Sequence, residues 1–364
     1  MYNKEELSIF WFSLFDKITN KKLGQLAEIT DSFASLRENL SKYKDEVVKV
    51  VGLETYSNLK LSQSDAFIKK MIDKLADKGA KFTTVVSDDY PKMLKDIEDF
   101  PYILYYKGDI SVVNGKTIAV VGTRKPTRYG QIVTKQFTKD LVTAGCTIVS
   151  GGARGVDSIA IKEALELGSK PIVVLGCGVD VVYPPENKNL FDEVVKVGGL
   201  ITSEYPIKTP PNAYNFPQRN RIISGLSIGV LVTEAGLKSG TMITADAALN
   251  QGKEVFLVPG NVNSQTSAGT NNMLKEGYGN LVTEPNDILS HYKINEVQSS
   301  VSEPVQLDYN ESAIMEEIRK NGEVHFEQLL SVVDFNDVNE LNNLLFNMQL
   351  KGLIVKLPGN FYGE

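Results

Sequence analysis

TIAVVGTRKPTRYG (Thr117–Gly130) sets the fold. Thr117–Val121 runs without polar alternation, so a strand here is buried on both faces. A glycine follows at once, then an arginine and a lysine, and then QIVTKQFTKDLVTAG (Gln131–Gly145), whose apolar positions recur with helical period. Buried strand, glycine turn and helix make up one half of a parallel crossover unit.

The pattern recurs along the chain. Short apolar runs appear at CTIVS (Cys146–Ser150), PIVVLG (Pro171–Gly176), GLITSEY (Gly199–Tyr205), IGVLVTEA (Ile228–Ala235), EVFLVPG (Glu254–Gly260) and NLVTE (Asn280–Glu284). Amphipathic segments such as RGVDSIAIKEALELG and SGTMITADAALNQG separate them. Right-handed crossovers turn this alternation into an α/β fold, an extended Rossmann-like doubly wound parallel sheet with helices on both faces.

The two ends differ from this centre. Up to about residue 80 the pattern is helical and polar-rich, which predicts a small helical domain over 1–82. Its run IFWFSLF (Ile9–Phe15) is too short to span a bilayer and follows Glu5 and Glu6, so a buried helix is expected there, with no membrane insertion. Polar, serine-rich EVQSSVSEP suggests a linker over 293–306 after a sheet domain over 83–292. Two helical patterns and LIVKLPGNFYG then fit a winged-helix module over 307–364.

With 364 residues, 42% of them hydrophobic, the chain is long enough for two or three domains with real cores. Cys146 and Cys177 form no CxxC pair, and His291 and His325 have no metal-ligand spacing, so no disulfide, metal or cofactor is expected. A reducing, cytoplasmic location fits. The net charge of −6 argues against a nucleic-acid partner until its distribution is considered. From Val305 onward there are ten acids and four bases, so that segment carries the whole −6 and the rest is neutral. Its last helical stretch offers Lys351 against Asp337 and Glu340, an unpromising face for duplex DNA.

Ligands of a doubly wound sheet bind beyond the carboxyl ends of its strands. Here those ends read VGTRKPTRYG, SGGARGVD, GCGVDVVYPPENKN, EAGLKSGT and PGNVNSQTSAGTN. Glycines permit close backbone approach, and the first turns of the following helices present N–H groups. Arg124, Lys125, Arg128, Arg154 and Lys188 share these loops, as a phosphate-binding rim requires. Asp157, Glu204 and Glu234 stand near the same ends, suited to orienting arginines, a ribose or an amide. FPQRNRIISG (Phe216–Gly225) adds Arg219 and Arg221 around Asn220.

Several motifs fail. No GxxxxGK[ST] loop is present. GCGVDV has Val181 at the third glycine position of a dinucleotide fingerprint. GLSIG (Gly225–Gly229) matches a nucleophile elbow, but a helical pattern precedes it and a strand follows, the reverse of what that elbow needs. Ser227 is therefore read as a turn residue.

Taken in order, VGTRKPTRYG, SGGARGVD, LGCGVDVVYPPENKNL, SEYP, FPQRNRIISGLS, EAGLKSGTMITADAALNQGKEVFLVPG and SAGTN resemble the DNA-processing protein DprA (Smf) family, strongly from about Ser87 to Thr283. That resemblance implies a non-enzymatic protein that binds single-stranded DNA and shields it. It also implies loading of the recombinase RecA in natural transformation and a homodimer formed through the Rossmann domain. By motif it places the DNA site at Gly122, Thr123 and Arg124; Gly151, Gly152 and Arg154; Lys188; Phe216, Arg219, Asn220 and Arg221; and Ser239, Gly240 and Thr241. Tyr183 and Phe216 are candidate stacking faces. One departure is Ile161, where the family usually has a histidine. The alternative is a nucleoside monophosphate phosphoribohydrolase, whose loop reads PGGxGTxxE. Here GTMIT (Gly240–Thr244), followed by Ala245, carries no such glutamate.

Overall fold

The computed structural model describes residues 2–294, 307–333, 338–350 and 353–363. The chain divides into two compact units, Met1–Val297 and Gln298–Glu364. Most of the linker expected over 293–306 lies outside the described residues, as do Asp337 and Lys351.

The first unit is organised on a nine-stranded sheet. In chain order its strands are β1 (Lys81–Thr84), β2 (Ile103–Gly108), β3 (Thr117–Val121), β4 (Thr147–Ser150) and β5 (Ile172–Val174), then β6 (Leu200–Ser203), β7 (Gly229–Val232), β8 (Glu254–Leu257) and β9 (Asn280–Leu281). Their spatial order is β1-β2-β6-β5-β4-β3-β7-β8-β9. From β6 to β9 every pairing is parallel, while β1 and β2 add an antiparallel edge.

The lack of polar alternation in β3 has the expected consequence: all five residues are buried. Ile118 and Val120 join a core with Phe137 and Leu141 of the helix Arg128–Thr143 and Ala160 of the helix Val156–Glu166. Ala119 and Val121 join another with Ile222 and Ile223 of the helix Asn215–Gly225 and Ala245 of the helix Gly240–Asn250. Two cores on two faces make the sheet doubly wound.

From β3 the sheet grows one way through β4, β5 and β6 and the other way through β7, β8 and β9. The loops after β3 and β7 therefore diverge to opposite faces and leave a crevice between them.

IFWFSLF forms the core of the helix Lys4–Ser13 and the residues after it, with Ile9 to Phe12 almost wholly buried. Phe10 stacks on Phe82 of β1 at 4.4 Å, and Ser13 and Tyr105 of β2 share a 2.6 Å hydroxyl contact. The N-terminal helices and the antiparallel edge thus belong to one hydrophobic cluster. Ile161 is fully buried in that cluster beside Val173. Ser227 is buried in the bend between helix and β7, donating to Ile223 O at 2.9 Å, with no strand before it.

The second unit contains the helices Tyr309–Asn321, Phe326–Leu330 and Val338–Leu350 and a small antiparallel sheet. Its strands β10 (Glu323–His325), β11 (Val355–Leu357) and β12 (Phe361–Gly363) pair in the order β10-β12-β11. Ile314, Leu329, Leu341, Leu345 and Tyr362 form a core of its own. Among the described residues no helix is long and apolar enough to cross a membrane.

Candidate nucleic-acid interface

The crevice at the switch between β3 and β7 has a volume of about 900 Å³. Its walls are Val121–Lys125 at the end of β3, Ala153 and Asp157 after β4, Phe216, Pro217, Arg219 and Asn220, and Gly236–Thr241 after β7, with Gln265 and Thr266 also lining it. Three helices start around it, at Arg128, Val156 and Gly240. The aligned dipoles of these helices give the space a positive bias before any side chain is counted.

Glycine is required where these loops touch. Gly155 has φ +76°, and a Cβ there would lie 2.4 Å from Thr123 O; Val156 N–H donates to the same oxygen at 3.2 Å. Gly122 lies against Val156, where a Cβ would approach to 2.6 Å. The first two loops are therefore packed backbone to backbone.

Ser239 caps the helix Gly240–Asn250 by accepting from Thr241 N–H at 3.2 Å. Thr241 Oγ1 in turn donates to Gly122 O at 2.8 Å, which ties this third loop to the first. Asp157 accepts from Gly151 N–H at 3.1 Å and Ala153 N–H at 3.3 Å, so this carboxylate holds backbone. Burial pushes the Asp157 carboxyl up, and the Arg219 guanidinium opposes it.

The cations fall into two groups. Arg124, Lys125 and Lys238 are exposed at the rim and take part in no ion pair among the described residues. Arg128, at the first helix start, is also exposed and without an ion pair among the described residues, whereas Arg154, Lys188, Arg219 and Arg221 are engaged. Arg219 is 5% exposed, and its Nη1 donates to Gly151 O at 2.6 Å and to Val174 O. Burial pulls its guanidinium down, with Asp157 opposing. It lies 5.9 Å from the centre of the Phe216 ring, and Phe216 faces Tyr183 at 5.4 Å. Both aromatics are half-buried at the crevice wall.

Asn220 is also engaged: its Oδ1 accepts from Arg219 Nε at 3.3 Å and its Nδ2 donates to Gly240 O at 3.2 Å. These two contacts fix the loop.

Three of the sequence-derived cations sit elsewhere or are paired. Arg154 forks onto both carboxylate oxygens of Glu186 beside a small adjoining cavity lined by Arg124, Tyr183 and Phe216. Lys188 pairs with Asp192 at 2.5 Å and does not line the crevice. Arg221 points away from it, donating to Asp99 at 2.9 Å and to the buried Glu204 at 2.6 Å. Burial works against the Arg221 charge, and the two carboxylates outweigh it, so its pKa is raised.

The crevice therefore assembles Gly122, Thr123, Arg124, Phe216, Arg219, Asn220, Ser239, Gly240 and Thr241, with Gly151 and Arg154 at the adjoining cavity. Gly152, at φ +64°, is packed beneath on Phe191 and Val173, where a Cβ would come to 2.8 Å. Sequence reasoning had not singled out Lys238 or the exposed Leu237 beside it; the loop GLKSGT held the signal, a cation two residues before a helix start.

A family model for DNA recombination-mediator protein A matches residues 81–293. Protein Smf of Escherichia coli is 38% identical over 76% of this chain and 75% of its own length. DNA processing protein DprA of Bacillus subtilis is 40% identical over 55% of this chain and 68% of its own. Among solved structures, DprA from Streptococcus pneumoniae superposes with a TM-score of 0.66 at 31% identity, covering 79% of this chain and 98% of that one. DNA processing protein A from Helicobacter pylori, described for its single-stranded DNA binding mode, gives a TM-score of 0.52 at 33% identity over 58% of this chain and 96% of its own. The chain belongs to the DNA recombination-mediator protein A family, that of the DprA and Smf proteins.

Proposed function

We propose that the chain binds single-stranded DNA in the crevice between β3 and β7 and holds it without cutting it. The observation that carries this is the convergence of three helix starts with the unpaired cations Arg124, Lys125 and Lys238 around one space. Phosphates meet Gly122, Thr123, Arg124 and the Ser239–Thr241 turn, while Tyr183 and Phe216 offer faces on which bases stack without sequence preference. Arg219, Asn220, Gly151 and Gly152 shape the wall, and Arg154 reaches the strand where Glu186 releases it.

In this role the protein shields incoming strands and delivers them to RecA, working as a homodimer through the sheet domain. The second unit, a winged helix by its element order, has no part in duplex reading. On the described exposed face of Val338–Leu350 stand Glu340, Asn342, Asn343 and Phe346, with no cation.

A gel-shift comparison of single- and double-stranded oligonucleotides of equal length tests the reading; preference for the duplex overturns it. Catalytic release of free base from a nucleoside monophosphate would replace it with a hydrolase. Sedimentation of residues 1–294 at tens of micromolar tests the dimer, which a strictly monomeric species would rule out.

A further inference from the structure

Glu234 presents a contradiction. It is 1% exposed, just behind a rim built for anions, where an unscreened carboxylate repels phosphate. The residue does not line the crevice, and its oxygens are all engaged with the crevice's walls. Its backbone carbonyl accepts from Thr123 N–H at 2.7 Å, and Oε2 accepts from Thr127 N–H at 2.9 Å. Both donors lie on the loop that carries Arg124 and Lys125. Oε1 accepts from Thr266 Oγ1 on the opposite loop.

The chain makes room for this arrangement. Gly130 stands where any Cβ would lie 2.0 Å from Glu234 Oε2. Tyr129, next to it, donates from its hydroxyl to Pro259 O at 2.8 Å, a second tie between the same two walls. The far loop is anchored at its ends as well, Gly260 with Asn271 and Gly269 N–H on Ala235 O at 2.8 Å.

We infer that Glu234 is the positioning residue of the crevice: it clamps the Arg124 loop to the Thr266 loop and so presets the cations for the strand. The inference rests on the crevice being the single-strand site. Ordering the loops before binding removes a cost otherwise met on association.

The test sets geometry against charge. Electrostatics alone expects every loss of the carboxylate to tighten binding. Positioning expects Glu234→Ala to weaken it about tenfold, the loss of about 1.4 kcal/mol, while Glu234→Gln keeps near wild-type affinity. The amide oxygen still accepts from Thr127, and its NH₂ can donate to the Thr266 hydroxyl.

Gly130→Ala leaves all charges in place, evicts the carboxylate and is expected to weaken binding alike, so the inference remains testable if Glu234→Ala does not fold. Neither variant removes a phosphate contact, so the slope of log affinity against log salt should stay unchanged. Amide exchange at Thr123 and Thr127 should quicken. Fluorescence anisotropy of a labelled oligothymidylate with the full chain at several salt concentrations, beside hydrogen exchange, reads all of this.

Wild-type or tighter binding by Gly130→Ala, or by folded Glu234→Ala, beside a weakened Arg124→Ala overturns the inference alone. Wild-type binding by Arg124→Ala overturns the crevice site and this inference with it.

Discussion

Arg221→Ala separates a structural arginine from a DNA-binding one. Arg221 is 13% exposed, and its partner Glu204 is 8% exposed at 2.6 Å; the second partner, Asp99, is half in solvent. Deleting the guanidinium leaves the Glu204 carboxylate buried without its cation, a change that costs about 3–5 kcal/mol. The half-exposed pair adds at most about 1 kcal/mol. For a unit of 297 residues, an unfolding entropy near 2.1 cal/mol/K per residue gives roughly 0.6 kcal/mol per degree. The melting temperature should fall by about 5–10 °C at pH 7.

The deficit should also depend on pH. Burial raises the Glu204 pKa, with Arg221 opposing. A carboxyl whose pKa is raised on folding takes up a proton as the chain folds. Its stability contribution therefore falls as pH rises through the interval above the unfolded value, about 4.3 for glutamate. Removing Arg221 raises the folded value further and widens that interval. The gap between wild type and variant should be full near pH 7 and shrink as pH falls, because a protonated Glu204 needs no cation. Calorimetry at pH 5 and pH 7 measures it, and Glu204→Gln in the Arg221→Ala background should recover much of the loss. At a temperature where both are folded, single-strand affinity and its salt slope should match wild type. An unchanged melting temperature with weakened binding would refute the reasoning and place Arg221 on the DNA.

Arg124→Ala should behave in the opposite way, keeping its melting temperature, losing single-strand affinity and flattening the salt slope by about 0.7, the share of one phosphate contact; an unchanged slope in anisotropy titrations would count against that contact. Removal of residues 307–364 should leave affinity unchanged or raise it slightly, since the segment from Val305 carries the entire −6 and like charge acts within a screening length of about 8 Å. A tenfold loss with an unchanged melting temperature would make the tail part of the site.

The parallel sheet was legible because β3 to β8 each announce themselves locally, as apolar runs bounded by glycine on one side or the other. The antiparallel edge was less so. FPYILYYKGD reads only as an approach to the sheet domain, and nothing local says that Tyr105 and Tyr106 of β2 pair with Ser203 and Thr202 of β6. The rim was legible as a collection of charges, but not as a division between free and engaged ones. The groups that engage the arginines are distant in sequence: Arg221 meets Asp99 122 residues away and Arg219 meets Gly151 68 residues away. Such pairings depend on tertiary packing, which residue type and spacing do not encode.

One part of that division was nevertheless available from the sequence. QRNRIIS has the pattern of a helix, and the helix Asn215–Gly225 bears it out. Residues two apart on a helix lie about 200° apart around its axis, so they face opposite ways. Arg219 and Arg221 thus cannot both look into one crevice. One of them faces the sheet and its strand ends, and the other must find partners on the far side. The side follows from the helix's own core positions. Ile222 and Ile223 are buried on the sheet at 0% and 1% exposure; Arg219, three and four residues before them, shares their face. Arg221 is left to Asp99 and Glu204. Two arginines that a charge count treats as equivalent therefore do different work. Arg219 braces the wall of the crevice from within, and Arg221 fastens the helix that carries that wall to the antiparallel side of the sheet.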